Sequence, residues 1–289
     1  MFSQALQNIE PYTMPVIVSN ALFDKSVQSG CGTFIVLNKD GWVLTAAHIV
    51  AQLALRQQHQ QIVTQYEELH TKIINNPNLR RKIRENQLRN LKPNPQWIIN
   101  QAMFWGWATC TIKNFLIKPS CDLAAGKLEP FDPDWVKSYP VFKNPKEPML
   151  IGTSLCRLGY PLYDIKATFD NGVFNFAEGV LPIPRFPNDG IFTRNVNFVS
   201  PDKTQTARFL ETSSPGLRGQ SGGPIFDKQG HVWALQSQTQ SLPLGFTPSV
   251  MEGNKKIVEH QFIHVGWGVH VAEIVSFLNE AKISFNLSS

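Results

Sequence analysis

The sequence lacks any apolar run close to the roughly 18 to 20 residues that a membrane-spanning helix needs, so no membrane segment is expected. Residues 1–10 contain neither the basic start nor the apolar core of a signal peptide. Internal repeats are absent as well, which excludes fibrous and repeat classes. These absences predict a globular, cytoplasmic protein.

Cysteine is scarce, with four residues among 289: Cys31, Cys110, Cys121 and Cys156. None of them forms a CxxC pair of the kind that binds metals, so we expect no metal and no other cofactor. The even count leaves two disulfides as an alternative. Without an export signal, free thiols in a reducing compartment are the expectation.

Charge is also modest, with 17% charged residues and a net charge of +5 that is spread along the chain. This excess is too small and too dispersed to predict nucleic-acid binding. The hydrophobic fraction of 42% is that of a globular chain, long enough for one large or two medium cores.

Residues 12–50 show the pattern of β structure, with apolar runs at 14–18 and 31–37 and a turn signal before 42–44. His48 follows directly at the end of this hairpin. Because an imidazole titrates near neutral pH, His48 is the candidate general base. The alternative is an ordinary surface or core histidine.

Residues 49–92 change in character. Residues 49–74 carry apolar side chains at helical spacing among many glutamines, and residues 78–91 form a second, arginine-rich helical segment that ends before Pro93. We predict a helical hairpin inserted into a β domain. Its charges form either a solvated face or a docking surface for a regulatory protein or an acidic segment, with a nucleic-acid patch as a minor variant.

The β pattern resumes at 102–112 and 115–117, and Asp122 then begins a small apolar run at 123–128. A carboxylate buried there must be paired or hydrogen-bonded. One use for it is to accept the second N–H of a histidine and so fix the tautomer of that ring. The alternative is a turn cap.

Prolines crowd residues 130–148, which predicts a linker because proline disrupts central strands and helices. We therefore expect an N-terminal unit at 1–130, a linker at 131–148 and a C-terminal unit at 149–289.

The C-terminal unit alternates short β runs with turns, contains a long polar connection at 241–259 and closes with a helical apolar stripe at 271–281. Two all-β halves with a terminal helix favour paired barrels over a sandwich.

Residues 219–224 read Gly-Gln-Ser-Gly-Gly-Pro and place Ser221 between glycines. A serine hydroxyl acts as a nucleophile only when a base takes its proton and donors hold the resulting oxyanion. The glycines allow the backbone N–H groups of Gly219 and Ser221 to point at one oxygen. A tight turn or a phosphate-binding loop is the alternative.

Together, Thr-Ala-Ala-His ending at His48, Asp-Leu-Ala beginning at Asp122 and the motif around Ser221 resemble the trypsin-like serine peptidases of the chymotrypsin-fold superfamily. The order His, Asp, Ser is that of this fold. In residues 224–235 and 266–269 the sequence is most similar to bacterial high-temperature-requirement-type peptidase domains, without a PDZ-like module. The resemblance covers residues 12–48, 102–128 and 149–281.

The resemblance implies an all-β, chymotrypsin-like fold of two six-stranded antiparallel barrels, with the helical hairpin inserted and a C-terminal helix. It implies Ser221 as nucleophile, His48 as base and Asp122 as the orienting carboxylate. The N–H groups of Gly219 and Ser221 would form the oxyanion hole.

Two departures from the secreted relatives matter. Gln220 replaces the aspartate that pairs with a newly cut N-terminus in digestive enzymes, so activation by that cleavage is not expected. No cysteine follows His48, so the disulfide of the histidine loop is absent. Both departures favour an intracellular enzyme.

The resemblance also implies an S1 pocket, which receives the substrate side chain (P1) on the acyl side of the cleaved bond. The three segments that would wall this pocket are 214–218, 237–239 and 265–268, and none of them contains an acidic residue. This favours a small or medium uncharged P1 residue. The predicted lining residues are Pro215, Ser237, Gln238, Thr239, Gly266 and Gly268.

The leading functional hypothesis is a serine endopeptidase that cleaves protein or peptide substrates through an acyl-enzyme. A second version of it is an enzyme that stays latent until a partner engages the hairpin. The alternative from another class is a catalytically silent peptidase fold that binds partners through the hairpin.

Overall fold

The computed structural model describes residues 1–107, 109–199, 206–246, 248–253, 255–258 and 261–289. Two large β-sheets dominate it, a helical hairpin projects from the first sheet, and a helix lies near the C-terminus. This confirms the predicted all-β, chymotrypsin-like class with its helical insertion. No helix within the described ranges is long and apolar enough to cross a membrane.

The first sheet contains six strands that pair antiparallel in the order β4-β1-β2-β3-β6-β5. The consecutive buried residues 43–46 and 123–126 point to alternate faces, so both faces are covered at the centre of this sheet. The strands are β1 (Thr13–Leu22), β2 (Val27–Val36), β3 (Trp42–Ala46), β4 (Ile98–Trp105), β5 (Thr111–Lys118) and β6 (Leu123–Glu129).

The aromatic stretch at 102–112 differs from the sequence expectation of one strand, because β4 ends at Trp105 and β5 begins at Thr111. Gly106 breaks the run with φ +70°, and a Cβ there would lie 3.2 Å from the Met14 side chain. A positive φ combined with this close approach favours glycine.

The second sheet begins with the short strand β7 (Val141–Phe142), which lies inside the predicted linker and pairs parallel to other strands. Six of the sheet's strands, β8, β11, β12, β17, β14 and β13, close into a barrel because β13 pairs with both β8 and β14. The strands are β8 (Ser154–Gly159), β11 (Phe186–Val199), β12 (Thr206–Thr212), β13 (Pro224–Phe226), β14 (His231–Pro243), β17 (Phe262–His270) and β18 (Asn286–Leu287).

Two small hairpins decorate this barrel: β9 (Ala167–Asp170) with β10 (Val173–Phe176), and β15 (Ser249–Glu252) with β16 (Lys255–Val258). The long polar connection expected at 241–259 contains the end of β14, which runs on to Pro243, and the second hairpin.

Five α-helices lie within the described ranges: α1 (Ser3–Ile9), α2 (Ala47–Val50), α3 (Gln52–Asn75), α4 (Arg81–Asn90) and α5 (Val271–Glu280). The helices α3 and α4 form the predicted hairpin, and neither buries a residue. The ring of Tyr66 in α3 lies 5.6 Å from that of Phe23 and 5.7 Å from that of Trp97. This aromatic cluster attaches the hairpin to the first sheet.

The main hydrophobic core joins both sheets and α5, with Phe34 and Leu44 from the first sheet, Leu158 and Phe226 from the second, and Ile274 from the helix. Burial of such side chains is the main favourable term in folding. The two sheets therefore meet in a packed seam, and the predicted site residues lie along it.

Candidate active site

His48 lies on α2, immediately after β3 has ended at Ala46. The buried Ala46 and Ala47 let the backbone approach the neighbouring strand, and the Ala47 N–H donates to the Asp122 carbonyl at 3.0 Å. The imidazole itself is half exposed. A buried backbone thus holds a side chain that remains open to solvent.

Asp122 follows a 3₁₀ turn (Pro119–Cys121) and immediately precedes β6, with φ +56°. This left-handed conformation directs the carboxylate toward α2. Its Oδ2 lies 2.9 Å from His48 Nδ1, and its Oδ1 accepts the His48 backbone N–H at 2.9 Å. Because the carboxylate accepts at Nδ1, this nitrogen carries the proton and Nε2 is free to act as an acceptor.

A third donor reaches Asp122 from the second sheet, since Ser237 Oγ donates to Oδ2 at 2.5 Å. Burial alone raises the pKa of Asp122, but hydrogen bonds from His48 and Ser237 outweigh it, and the pKa lies below its usual value. The carboxylate is therefore ionised at neutral pH and aligns the histidine.

Ser221 sits on the seam between the sheets. Its carbonyl accepts the Thr33 N–H at 2.8 Å, and the neighbouring Gly219 carbonyl accepts Thr33 Oγ1 at 2.8 Å. Ser221 and His48 line one cavity of about 330 Å³. Within the described ranges Ser221 Oγ donates to the Ser237 carbonyl at 3.4 Å and forms no hydrogen bond with His48. Such contacts are often long before substrate binds.

The N–H groups of Gly219 and Ser221 donate to no acceptor in the described part of the chain, whereas those of Gln220, Gly222 and Gly223 do. Gly219 has φ +105°, and a Cβ there would lie 2.4 Å from the Tyr160 carbonyl oxygen. The loop thus needs glycine at this position and leaves two donors free beside the hydroxyl.

Gln220 is fully buried beneath this loop. Its Oε1 accepts the Leu217 N–H at 2.9 Å, and its Nε2 donates to the Phe186 carbonyl at 3.2 Å. A neutral amide therefore supports the loop from within, where an aspartate would require a positively charged partner.

The residues predicted to line S1 do not all share one environment. Ser237 is bonded to Asp122, and a Cβ on Gly268 would meet the Ile225 side chain at 2.5 Å inside the barrel. In contrast, Thr239 Oγ1 donates to the Gly216 carbonyl at 2.6 Å, and Thr239 pairs with Gly266. Gln238 pairs with Trp267, and Pro215, half-buried, precedes Gly216 in the facing segment.

A second cavity, of about 520 Å³, lies on the other side of His48. Phe198, Phe209 and Gln238 line it together with Asp122. The histidine therefore stands between two recesses, which suits an extended substrate that passes across it.

Sequence reasoning missed one buried polar residue beneath the expected S1 wall, Arg157 in β8. A charged residue within the apolar run Leu-Cys-Arg-Leu at 155–158 is the signal that could have marked it. Gln236, which the sequence offered as a hydrogen-bonding group of the pocket, is buried in β14 and packs against Gly216.

Comparisons with known proteins agree with this fold. The sequence model of the family described as Trypsin-like peptidase domain matches residues 32–235. A search of curated protein sequences finds no match.

Among solved structures, the active form of the Rv3671c protease from M. tuberculosis is similar, with a TM-score of 0.52 and 14% identity over 98% of this chain and 86% of that one. Its inactive form has a TM-score of 0.49 and 15% identity, covering 96% and 92%. The HtrA-type protease AlgW with a tripeptide has a TM-score of 0.49 and 11% identity, covering 98% and 64%. At these identities, the first of them shows the shared fold alone.

The family match spans most of the chain and includes the histidine, aspartate and serine motifs. The chain belongs to the trypsin-like peptidase domain family, whose members are serine-protease hydrolases.

Proposed function

We propose that this chain is a serine endopeptidase that hydrolyses protein or peptide substrates through an acyl-enzyme intermediate. Ser221 is the nucleophile, His48 the general base and then acid, and Asp122 the orienting carboxylate. The observation that carries the proposal is the hydrogen bond between His48 Nδ1 and Asp122 Oδ2 at 2.9 Å, together with the position of His48 and Ser221 on one cavity.

In the acylation step, Ser221 Oγ attacks the carbonyl carbon of the scissile bond while His48 Nε2 takes the hydroxyl proton. The carbonyl oxygen becomes an oxyanion, which the N–H groups of Gly219 and Ser221 stabilise; each such donor is worth about 3 kcal/mol of barrier. The C–N bond then breaks, and His48 returns the proton to the leaving amine.

Deacylation repeats these roles with water as the nucleophile. His48 takes a proton from the water, the acyl–oxygen bond breaks, and the proton passes to Ser221 Oγ. Asp122 remains ionised throughout and stabilises the imidazolium that forms in each half. The donation from Ser237 to Asp122 keeps the carboxylate aligned with the ring.

Labelling with a fluorophosphonate probe tests this assignment. Wild-type protein is expected to label at Ser221, and Ser221→Ala should abolish labelling and lower peptide hydrolysis by roughly 10⁴-fold or more. Ser276→Ala, on the exposed face of α5, is the matched control and should label normally. Folded wild type that neither labels nor differs from Ser221→Ala on a substrate panel would refute the proposal.

We extend the proposal to regulation: a partner that docks on the hairpin at 49–92 controls the enzyme. Gln52, the first residue of α3, lines the same cavity as His48 and Ser221, and its carbonyl accepts Gln101 Nε2 at 3.2 Å. A partner that moves α3 therefore acts directly on the cavity wall. The positively charged helix α4 favours an acidic partner.

Replacement of residues 53–91 by a flexible glycine–serine linker tests this regulation. The expected result is a changed cleavage rate or the loss of a bound regulator. An unchanged rate together with an unchanged set of binding partners would contradict it, while leaving the assignment of Ser221 intact.

We also propose unit boundaries at 1–130, 131–148 and 149–289. In support, the six strands of the first sheet lie between Thr13 and Glu129, and the barrel of the second sheet begins at β8.

A further inference from the structure

Arg157 is a buried charge that pairs with no carboxylate among the residues that the structure describes. It lies in β8, opposite Ile225 of β13 and Asn188 of β11, and only 1% of its surface is exposed. Its guanidinium points into the barrel of the second sheet. Arginine is almost never buried to this extent unless it is paired.

Few protein groups satisfy this guanidinium. Nη2 donates to Thr212 Oγ1, whereas Nε and Nη1 find no acceptor in the described part of the chain. No ion pair with Arg157 occurs among the described carboxylates.

The buried carboxylate of Glu211, on β12 and two strands away from Arg157 in the sheet, is already occupied. Its Oε1 accepts Arg194 Nε at 2.9 Å, and its Oε2 accepts Arg194 Nη2 and Trp267 Nε1, each at 3.0 Å. Glu211 and Thr212 point to opposite faces of β12, as adjacent strand residues do. The acid on this strand therefore does not compensate Arg157.

Burial lowers the pKa of Arg157 to about 10, so the side chain remains protonated at neutral pH. An unpaired charge in such a place is unfavourable unless an anion is available to it at some stage of the protein's work.

The guanidinium lies directly beneath Gly266, one of the residues expected to line S1. A Cβ at Gly266 would be 2.7 Å from Arg157 Nη1, 2.8 Å from Thr212 Oγ1 and 2.8 Å from the Ser214 carbonyl oxygen. Only the absence of a side chain at residue 266 leaves the charge next to the pocket wall.

Two further buried polar atoms in this wall, Ser214 Oγ and Gln236 Oε1, have no partner within the described ranges. Gln236 packs against Gly216, where a Cβ would come within 2.2 Å of Nε2, and Nε2 donates to the Gln238 carbonyl at 3.0 Å. Arg157, Ser214 and Gln236 thus each leave a buried polar atom without a partner, within the described ranges, in or next to the wall of the expected pocket.

We propose that Arg157 is the specificity-determining cation at the base of S1 and that the enzyme prefers substrates with an acidic P1 residue, aspartate or glutamate. The P1 carboxylate accepts from Arg157 Nη1 and from Ser214 Oγ, and the Gln236 side chain turns aside to admit it. This inference rests on the proposed endopeptidase function. It replaces the expectation of an uncharged P1 residue, which considered only the three segments of the pocket wall.

Paired peptide substrates that differ only at P1 test the inference. Wild-type enzyme is expected to cleave the glutamate or aspartate peptide with a kcat/KM about 10- to 100-fold above that of its isosteric glutamine or asparagine peptide, the range for a hydrogen bond to a charged group. Equal rates within either pair, or a preference for the amide or for lysine, would overturn the inference.

Arg157→Met removes the charge and keeps most of the volume, a change that buried ionic sites commonly tolerate. In this variant, the ratio of kcat/KM for the acidic peptide to kcat/KM for its amide counterpart should fall to about one. Arg208→Met, the same substitution at a half-buried arginine of β12, is the control and should retain the wild-type ratio. Thermal melting of each variant shows whether it is folded. If Arg157→Met does not fold, the ratio of kcat/KM values for the acidic and amide peptides in the wild-type enzyme still decides whether the enzyme prefers an acidic P1 residue.

Fluorophosphonate labelling separates the two levels of the proposal. Ser221 that labels normally in an enzyme without acid preference refutes the role of Arg157 and leaves the endopeptidase assignment standing. Folded wild type in which Ser221 does not label refutes the assignment, and the inference about S1 with it.

Discussion

The inserted hairpin and the two-sheet body that carries it are built on different principles. Helices α3 and α4 bury no residue and have no side-chain cap, whereas α5 buries Val271, Ile274, Phe277 and Leu278 and is capped by His270. The body depends on close packing across its seam. The hairpin is attached on one side only, through the Tyr66 aromatic cluster and hydrogen bonds from β4 to Gln52 and His59, so its outer surface is free to serve binding.

The largest effect is expected from Gly222→Ala, at the densest point of the seam. Gly222 has φ +82°, and a Cβ would lie 2.0 Å from the Thr33 carbonyl oxygen and 2.4 Å from Thr45 Oγ1. Backbone strain and overpacking together should lower the free energy of unfolding by about 3 kcal/mol or more. Chemical denaturation and peptide hydrolysis measure the loss of stability and of activity.

Gly172→Ala is the matched control for this change. Gly172 has φ +83° but no atom within 4 Å of a Cβ, so only the backbone strain remains, about 1 kcal/mol. Equal destabilisation by the two substitutions would show that the seam is not closely packed at Gly222.

The next effect concerns the capped helix of the body. His270 Nδ1 accepts the Ala272 N–H at 3.1 Å, and burial, with the charge of Arg208 adding to it, lowers the pKa of His270 to about 4. Between pH 6.5 and 4 the unfolded chain binds the proton and the folded chain does not. The contribution of His270 to the free energy of unfolding is therefore fully present above pH 6.5, and it falls by about 3 kcal/mol as the pH drops to 4.

Denaturation of wild type and of His270→Asn at pH 7 and pH 4 measures this contribution. Asparagine also caps helices but does not titrate, so the stability of wild type relative to the variant should decrease by about 3 kcal/mol at the lower pH. A pH-independent difference between the two proteins would show that His270 titrates normally.

The smallest effect belongs to the hairpin. Tyr66→Ala removes the ring contacts to Phe23 and Trp97, worth about 1–2 kcal/mol together. Amide hydrogen exchange in α3 and α4 should accelerate by about 5- to 30-fold, while exchange in the barrel strands stays unchanged.

Arg81→Ala serves as its control, since this side chain is 91% exposed and its ion pair with Glu85 lies on the surface of α4. It should leave exchange at the wild-type rate. Accelerated exchange in the barrel strands of Tyr66→Ala would mean that the hairpin and the body form one cooperative unit. That result would contradict the difference between the two regions described above.

Much of the fold was predictable because its signals are local. Short apolar runs mark strands such as β1 and β3, helical spacing without glycine or proline marks α3, and an apolar stripe marks α5. The short strands β7 and β15 were missed. Isolated pairs of this length form because a neighbouring strand is already in place, not because of their own sequence.

For the candidate site, residue type and chain order were enough to nominate His48, Asp122 and Ser221, whose catalytic roles remain proposals. The contacts of Gln220 and Ser237 were beyond prediction. Gln220 binds the backbone of Leu217 and Phe186, and Ser237 binds a carboxylate 115 positions away.

Local pattern and motif order therefore establish the class of fold, the inserted hairpin and the family. Tertiary structure alone reveals that Arg157 lies beneath Gly266, 109 positions further along the chain and on a different strand, and that no acid in the described part of the chain pairs with it. The physical reason is that strand register and barrel closure decide which distant side chains meet. A strand's own sequence specifies which of its residues face inward, but not which side chains of other strands they contact.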